Sequence, residues 1–319
     1  MCRHVTVPKD GAGMRLDKLL SQFFKRYSRS ALARGIKNGQ VRDQDGKVLR
    51  PSTQLTAGME LRITIPGIAP TTLPPAFPSI LYEDECILAV CKPPGMPVHP
   101  SGSDFVWSLI ALARNEFPHA DMDLCHRLDV ETSGVVLMTK QKAANHSIKE
   151  AFKASRVHKE YDGLCRGVIP WQRLNCDGPL GPAGGDLRVQ QAVRPDGLPA
   201  LTMVERVSVR GQITRVRCTI TTGRTHQIRT HLNHAGYPLL GDRVYGVPSS
   251  VFLHGLKTGT DHWLREQTGA PRHALHCALM RFPHPRGGTL TVEAPLFSDM
   301  ERWWSNPAIL PHDDGRDFP

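Results

Sequence analysis

Leu16, Leu19, Leu20, Phe23, Phe24 and Tyr27 recur at helical spacing, so the first strongly patterned stretch reads as an amphipathic helix of about three turns. Ser28 is placed to cap a second helix, with Ala31, Leu32 and Ile36 inward and Gly39 just past its end. Arg29, Arg34 and Lys37 project from that second helix. Val41 to Leu49 reads as a strand pair broken at Asp45-Gly46. Leu61, Ile63 and Ile65 alternate with Arg62 and Thr64, the pattern of a half-buried strand. Two helices and a small sheet make a compact module over residues 1–66. The next stretch, PGIAPTTLPPAFP (66–78), has five prolines and no charge, the composition of a semi-extended linker over 67–79.

Beyond the linker the periods change irregularly. Short strands are expected at Ile80–Tyr82 and Ile87–Cys91, followed by a Lys92-Pro93-Pro94-Gly95 turn. Helical patterns cover 105–116, 141–154 and 224–235, and strand patterns cover 134–139, 157–167, 201–209 and 214–222. Several strand-to-strand links are too short for a crossover, so antiparallel pairing must be common. The predicted class is α+β, with a mixed, mainly antiparallel central sheet flanked by helices and loops across residues 80–306. No internal repeat is visible. Residues 307–319 (AILPHDDGRDFP and its preceding proline) read as a frayed tail.

Composition narrows the class. The chain has 319 residues, 40 % of them hydrophobic, with 28 glycines. That is ordinary globular material for about two domains. No run approaches the ~18–20 apolar residues of a membrane span, and the first residues lack the ~7–15-residue apolar stretch of a signal peptide. The expectation is a cytosolic monomer with no membrane partner. Eight cysteines are scattered without CxxC spacing, so they read as reduced, mostly buried thiols. The net charge of +10 is uneven: thirteen cations and five carboxylates lie within residues 1–66, leaving the other 253 residues nearly neutral. A basic module on a near-neutral body is the electrostatic footprint of nucleic-acid binding, and also of a merely solvated surface. Composition by itself leaves both readings open.

Candidate chemistry collects in two places. Fifteen histidines invite a metal, yet HExxH is absent; His231 and His234 share a helical face while His226 lies off it. Partly exposed, hydrogen-bonded histidines are the expectation, with no metal or cofactor. The run His126-Arg127-Leu128-Asp129-Val130-Glu131-Thr132-Ser133-Gly134 is a polar loop immediately before an apolar strand. Loops placed by rigid strands carry catalytic groups, but on spacing alone Asp129 reads as a turn former. Residues 223–246, GRTHQIRTHLNHAGYPLLGDRVYG, crowd Arg224, His226, Gln227 and Arg229 around a helix start, an arrangement suited to phosphate or carboxylate.

HRLDVETSGVVLMTK together with GRTHQIRTHLNHAGYPLLGDRVYG resembles the RluA-type RNA pseudouridine synthases. CKPPGMPVHPSG, HKEYDGLCRG, RHALHCALMRFPHP and EAPLFSDM follow the same family's order along nearly all of the larger domain. The N-terminal module resembles the alpha-L RNA-binding domain of the S-four ribosomal-protein type. The resemblance implies that Asp129 is the catalytic carboxylate, that Tyr161 packs on the target base and takes part in proton transfer, and that Arg229 is the ion-pair partner of Asp129. RNA contacts are expected at Arg29, Arg34 and Lys37 of the basic module and at His126, Arg127, Arg224, His226 and Gln227 of the two polar clusters. Thr139 and Gly163 depart from the small apolar residues usual there. The implied partner is RNA: large-subunit ribosomal RNA first, since members with the alpha-L module often act there, with transfer RNA or a catalytically silent assembly role as alternatives. No cofactor is implied.

Overall fold

The computed structural model describes residues 3–23, 29–64, 75–99, 108–185, 187–258 and 262–306. The N-terminal unit runs β1 (Arg3–Thr6), a 3-10 turn (Lys9–Gly11), α1 (Leu16–Phe23), α2 (Arg29–Lys37), β2 (Val41–Asp43) and β3 (Glu60–Ile63). Its sheet has the order β1-β3-β2, antiparallel throughout. Leu16, Leu19 and Leu20 fall on one face of α1 and Leu32 and Ile36 on one face of α2; they close a separate core with Val41, Leu61 and Ile63. The expected Val41–Leu49 hairpin forms: Arg42 bridges Val48, Asp43 donates its N–H to the Lys47 carbonyl at 3.0 Å and Leu49 donates to the Val41 carbonyl at 3.2 Å. Asp43 Oδ1 accepts the N–H groups of Asp45 and Lys47 and so holds the turn at Asp45-Gly46. On its other edge β2 pairs with β3. β1 was not expected, because it is four residues long and its partner lies almost sixty residues away. Phe24, Tyr27, the Ser28 cap, Ile65, most of the proline-rich linker and the 307–319 tail fall outside the described residues.

The larger unit runs β4 (Ile80–Glu83), β5 (Ile87–Lys92), α3 (Leu109–Glu116), β6 (Asp123–Leu124), β7 (Ser133–Thr139), α4 (Lys142–Lys153) and β8 (His158–Arg166). It continues with β9 (Arg173–Cys176), β10 (Leu180–Pro182), β11 (Gln191–Val193), β12 (Thr202–Arg210), β13 (Ile213–Ile220) and α5 (Gln227–His234). α6 (Ser249–Thr258), α7 (His262–Thr268), β14 (Leu275–Pro283), β15 (Thr289–Glu293) and α8 (Ser298–Ser305) complete it. The main sheet has the order β4-β5-β7-β14-β8-β13-β12-β9, with β15 on β14 and β6 on β7. Among these pairs β7 with β14 is parallel and the others are antiparallel, so the α+β architecture with a mixed, mainly antiparallel sheet holds.

The two central strands explain where the site sits. Every residue of β7 is buried, the continuous apolar run of a strand covered on both faces. Of its two polar members, Ser133 and Thr139, the latter, one of the departures from the family pattern, accepts a hydrogen bond from the Asn145 amide at 3.1 Å. β7 and β14 approach so closely at Gly134 that a Cβ there would overlap the Cys277 carbonyl. The loop before β7 carries Asp129, and the helix after β13, a strand that runs in the same direction as β7, carries Arg229. The two units touch where Lys9 Nζ donates to the Pro118 carbonyl and Asp10 pairs with Arg114. Among the described residues no helix is long and apolar enough to cross a membrane. The described cysteines are free thiols, all buried except the half-buried Cys176.

Candidate active site

Asp129 stands in the loop between β6 and β7, and that loop is tied down from several sides. Thr132 donates its N–H to the Asp129 carbonyl at 3.1 Å, and Gly95 donates to the Val130 carbonyl at 2.8 Å. Lys92, fully buried at the end of β5, donates from Nζ to the carbonyls of Pro93, Met96 and Val130. Burial, aided by Arg272, pushes this ammonium down to about 7. On the other flank the buried His273 ring bonds the Thr132 hydroxyl at 2.7 Å and faces Glu131 at 3.4 Å. The carboxylate between these anchors is 21 % exposed.

Arg229, one hundred residues later, enters from the first turn of α5. Its Nη1 donates to Asp129 Oδ2 at 2.9 Å. Its Nε and Nη2 form a two-toothed contact with Asp242, at 2.7 and 2.9 Å. Asp242 is wholly buried and also accepts the N–H groups of Val244 and Tyr245. The guanidinium lies 5.2 Å over the Tyr245 ring. Arg229 is thus locked from behind and offers one N–H end-on to Asp129, leaving the other carboxylate oxygen of Asp129 outside that contact. Burial works against charge on Asp129, but Arg229, His226 and His273 outweigh it, and the carboxyl lies below its ordinary value. Asp242 is held at about 2: burial opposes its charge and Arg229 more than offsets that.

His226 caps α5 with φ 56°, a left-handed backbone rare for a residue with a side chain. Its Nδ1 bonds the Tyr245 hydroxyl at 3.0 Å and its Nε2 lies 3.8 Å from Asp129. Burial, reinforced by Arg229, pushes the ring down to about 4, so this contact is not an ion pair at neutral pH. The helix begins at Gln227, three residues later than the periodicity predicts, because the left-handed His226 and the bonds of Gln227 set the turn. Gln227 Oε1 accepts the Thr222 hydroxyl and the Arg224 N–H, while Nε2 donates to the Leu201 carbonyl and to Thr202 Oγ1. With all its polar capacity used internally, Gln227 shapes the loop. His126 is similarly engaged: its Nε2 accepts the Leu137 N–H at 3.0 Å, and burial pushes the ring down to about 3. Arg127 and Arg224 are exposed, the latter donating to the Pro199 carbonyl. His231 is hydrogen-bonded as expected, to Thr202 and the Gly178 carbonyl, but buried rather than partly exposed.

Asp129, His226 and Arg229 line two adjoining spaces. The larger, about 770 Å³, runs from them toward Pro97–His99 and α6. The smaller, about 90 Å³, is walled by Tyr161, Thr132, Ile220 and Leu275. Tyr161 on β8 is buried and hydrogen-bonded to the Cys277 thiol of the adjacent β14. Burial first, then Cys277 and Asp129, raise its hydroxyl well above the usual phenol value, so it is neutral at pH 7. Arg29, Arg34 and Lys37 lie more remotely, on α2 of the N-terminal unit. Arg29 is paired with Asp17 at 3.0 Å, while Lys37 shares a basic depression with Arg15 and Arg50. Among the described residues no group of His, Cys, Asp and Glu is arranged to hold a metal ion. Asp242, Tyr245, Lys92 and His273 carried no assignment from sequence; only their place inside the motif strings GDRVYG, CKPPG and RHALHC pointed to them.

Residues 87–234 match the RNA pseudouridylate synthase model. Relatives match almost end to end. Ribosomal large subunit pseudouridine synthase D of Xanthomonas campestris is 32 % identical over 95 % of this chain and 92 % of that protein. Ribosomal large subunit pseudouridine synthase C of Escherichia coli K12 is 34 % identical over 93 % of this chain and 94 % of that protein. The chain belongs to the RNA pseudouridylate synthase family. The solved human RNA pseudouridylate synthase domain containing 1 shares the fold, with a TM-score of 0.56 at 24 % identity over 77 % of this chain and all of that one. This pseudouridine synthase is therefore an isomerase: the C1′–N1 glycosidic bond of uridine is broken, the uracil turned, a C1′–C5 bond made, and the C5 proton released.

Proposed function

We propose that this synthase isomerises specific uridines of large-subunit ribosomal RNA, with Asp129 as the carboxylate acting at the ribose. The observation that carries the assignment is the asymmetric hold on Arg229. Asp242 takes the Nε and Nη2 ends, so an N–H of Nη1 fixes Asp129 as an ionised, oriented carboxylate on the wall of an open cavity. Attack on C1′ and removal of a ribose proton both require that anion. Tyr161, neutral and buried in the smaller chamber, supplies an aromatic wall for a uracil extruded from its stack. The choice of ribosomal RNA is supported by the names and full-length similarity of the bacterial relatives. The N-terminal unit, two helices on a three-stranded sheet with Arg34 and Lys37 exposed on α2, supplies phosphate contacts.

The test is tritium release from RNA labelled at uracil C5, with separate large-subunit ribosomal and transfer RNA pools, followed by pseudouridine mapping. Release from ribosomal RNA at one or a few uridines is the expected result. Release from transfer RNA alone overturns the substrate assignment, and RNA binding without release marks a silent assembly factor.

A further inference from the structure

The larger cavity extends well past the groups that face the target ribose. Its far wall is α6, a helix that sequence patterning did not anticipate. Phe252 and Leu256 are four residues apart, hence on one helical face, and both line the cavity that also holds Asp129 and Arg229. Leu256 is 68 % exposed, a large apolar side chain left open beside a polar site. The helix is held in that pose from its other side. Val251 is buried, and Gly255 lets α6 close on α7, since a Cβ there would lie 3.2 Å from buried Leu264. Cations edge the same cavity: Arg127 at the mouth and Arg243, 3.4 Å from Glu131. An aromatic ring, an open leucine and flanking arginines, continuous with the site that takes the target, form the surface on which single-stranded nucleic acid stacks.

We propose that α6 is a stacking platform on which Phe252, edged by Leu256, holds a base of the RNA strand next to the target uridine. This rests on the RNA-modifying reading of the same cavity. When the target leaves its stack for Asp129, its neighbour loses a stacking partner, and Phe252 replaces it. Any base can lie on the ring, so the platform selects for an unpaired neighbour rather than for its identity.

The experiment measures binding in the Asp129→Asn protein, so that turnover does not intervene. The probe is a stem-loop carrying whichever uridine mapping identifies, in ribosomal or transfer RNA, so the platform and the choice of RNA stand or fall separately. Phe252→Ala is expected to raise Kd by about 5- to 150-fold, the range of one base–aromatic stack. An abasic site at one of the two neighbouring positions weakens binding similarly, and Phe252→Ala then adds nothing further on that RNA. Phe252→Tyr retains affinity; Phe252→Leu retains only part. Leu253→Ala, on the same helix but absent from the cavity wall, leaves Kd unchanged. Wild-type affinity in Phe252→Ala or Phe252→Leu, equal losses on intact and both abasic RNAs, or an equal loss in Leu253→Ala overturns the platform. Dissolution of a dimer by Phe252→Ala without loss of RNA affinity assigns the face to a second copy and overturns it equally.

Discussion

Two carboxylates share one guanidinium in this site, and the sharing sets how each substitution should act. Arg229 holds the Asp129 carboxyl down, so Arg229→Ala should shift the acidic limb of the pH–rate profile upward and lower kcat severely. Arg229→Lys should recover part, because a point charge cannot make the planar contact with Asp242. Asp242→Asn should move the same limb the other way: it removes a competing negative charge and leaves Arg229 committed to Asp129. The same variant should lose about 3–5 kcal/mol at pH 7 in urea melts, the usual result of breaking a buried pair. Asp242, depressed to about 2, gives stability that is fully present above the ordinary carboxyl range of ~3.9 and lost as pH falls through 2. The stability gap between Asp242→Asn and wild type should therefore shrink on acidification below pH 4. A limb that moves upward in Asp242→Asn contradicts the shared-guanidinium account. At this scale the sequence is only partly legible. Asp129 and Arg229 stood out only through their motif strings, since an aspartate before a strand is an ordinary turn former. Asp242 follows a glycine in a loop, and nothing local distinguishes it from a turn residue; its partner is thirteen positions away on a helix.

Elements whose pattern is local were legible and those decided by distant partners were not. The strands expected at 134–139, 157–167, 201–209 and 214–222 appear within two residues at either end, and α4 matches its period closely. β14 had no readable period. It is covered on both faces near Cys277 and bulges between Cys277 and Leu279, so alternation is absent where it matters. β7 pairs with it only at His276 and Cys277, and Gly134 is a point of very close approach. Gly134 has φ +109°, and any Cβ meets the Cys277 backbone. Gly134→Ala should cost more than ~3 kcal/mol, since overpacking of ~1–3 kcal/mol adds to backbone strain. A lowered urea midpoint with an unchanged m-value is the expected reading. Loss of turnover should accompany it, because β7 carries the Asp129 loop. A wild-type midpoint would show that β7 and β14 do not pack as described.

At the scale of the whole molecule, charge and core are separated. The basic N-terminal unit has its own apolar core, and the near-neutral body carries the site. The proline-rich run and the charge imbalance are what the sequence offers for such a division; the contacts of Lys9 with Pro118 and Asp10 with Arg114 were not legible, because polar surface pairs leave no pattern. Arg34→Glu with Lys37→Glu should weaken RNA binding and flatten its salt dependence, by about 0.7 in slope for each phosphate of single-stranded RNA that the variant no longer neutralises. Arg29→Glu should act chiefly through stability, since Arg29 is committed to Asp17. An unchanged salt slope in the double variant would make the basic face a solvated surface only.

The central claim is that one ionised carboxylate does the chemistry. The most direct measurement is single-turnover tritium release by Asp129→Asn, alongside its RNA affinity and thermal midpoint. Asparagine is nearly isosteric and can still meet Arg229 through its amide oxygen, but it is neither nucleophile nor base. The account predicts release below detection with RNA affinity close to wild type. Release at the wild-type rate would contradict it.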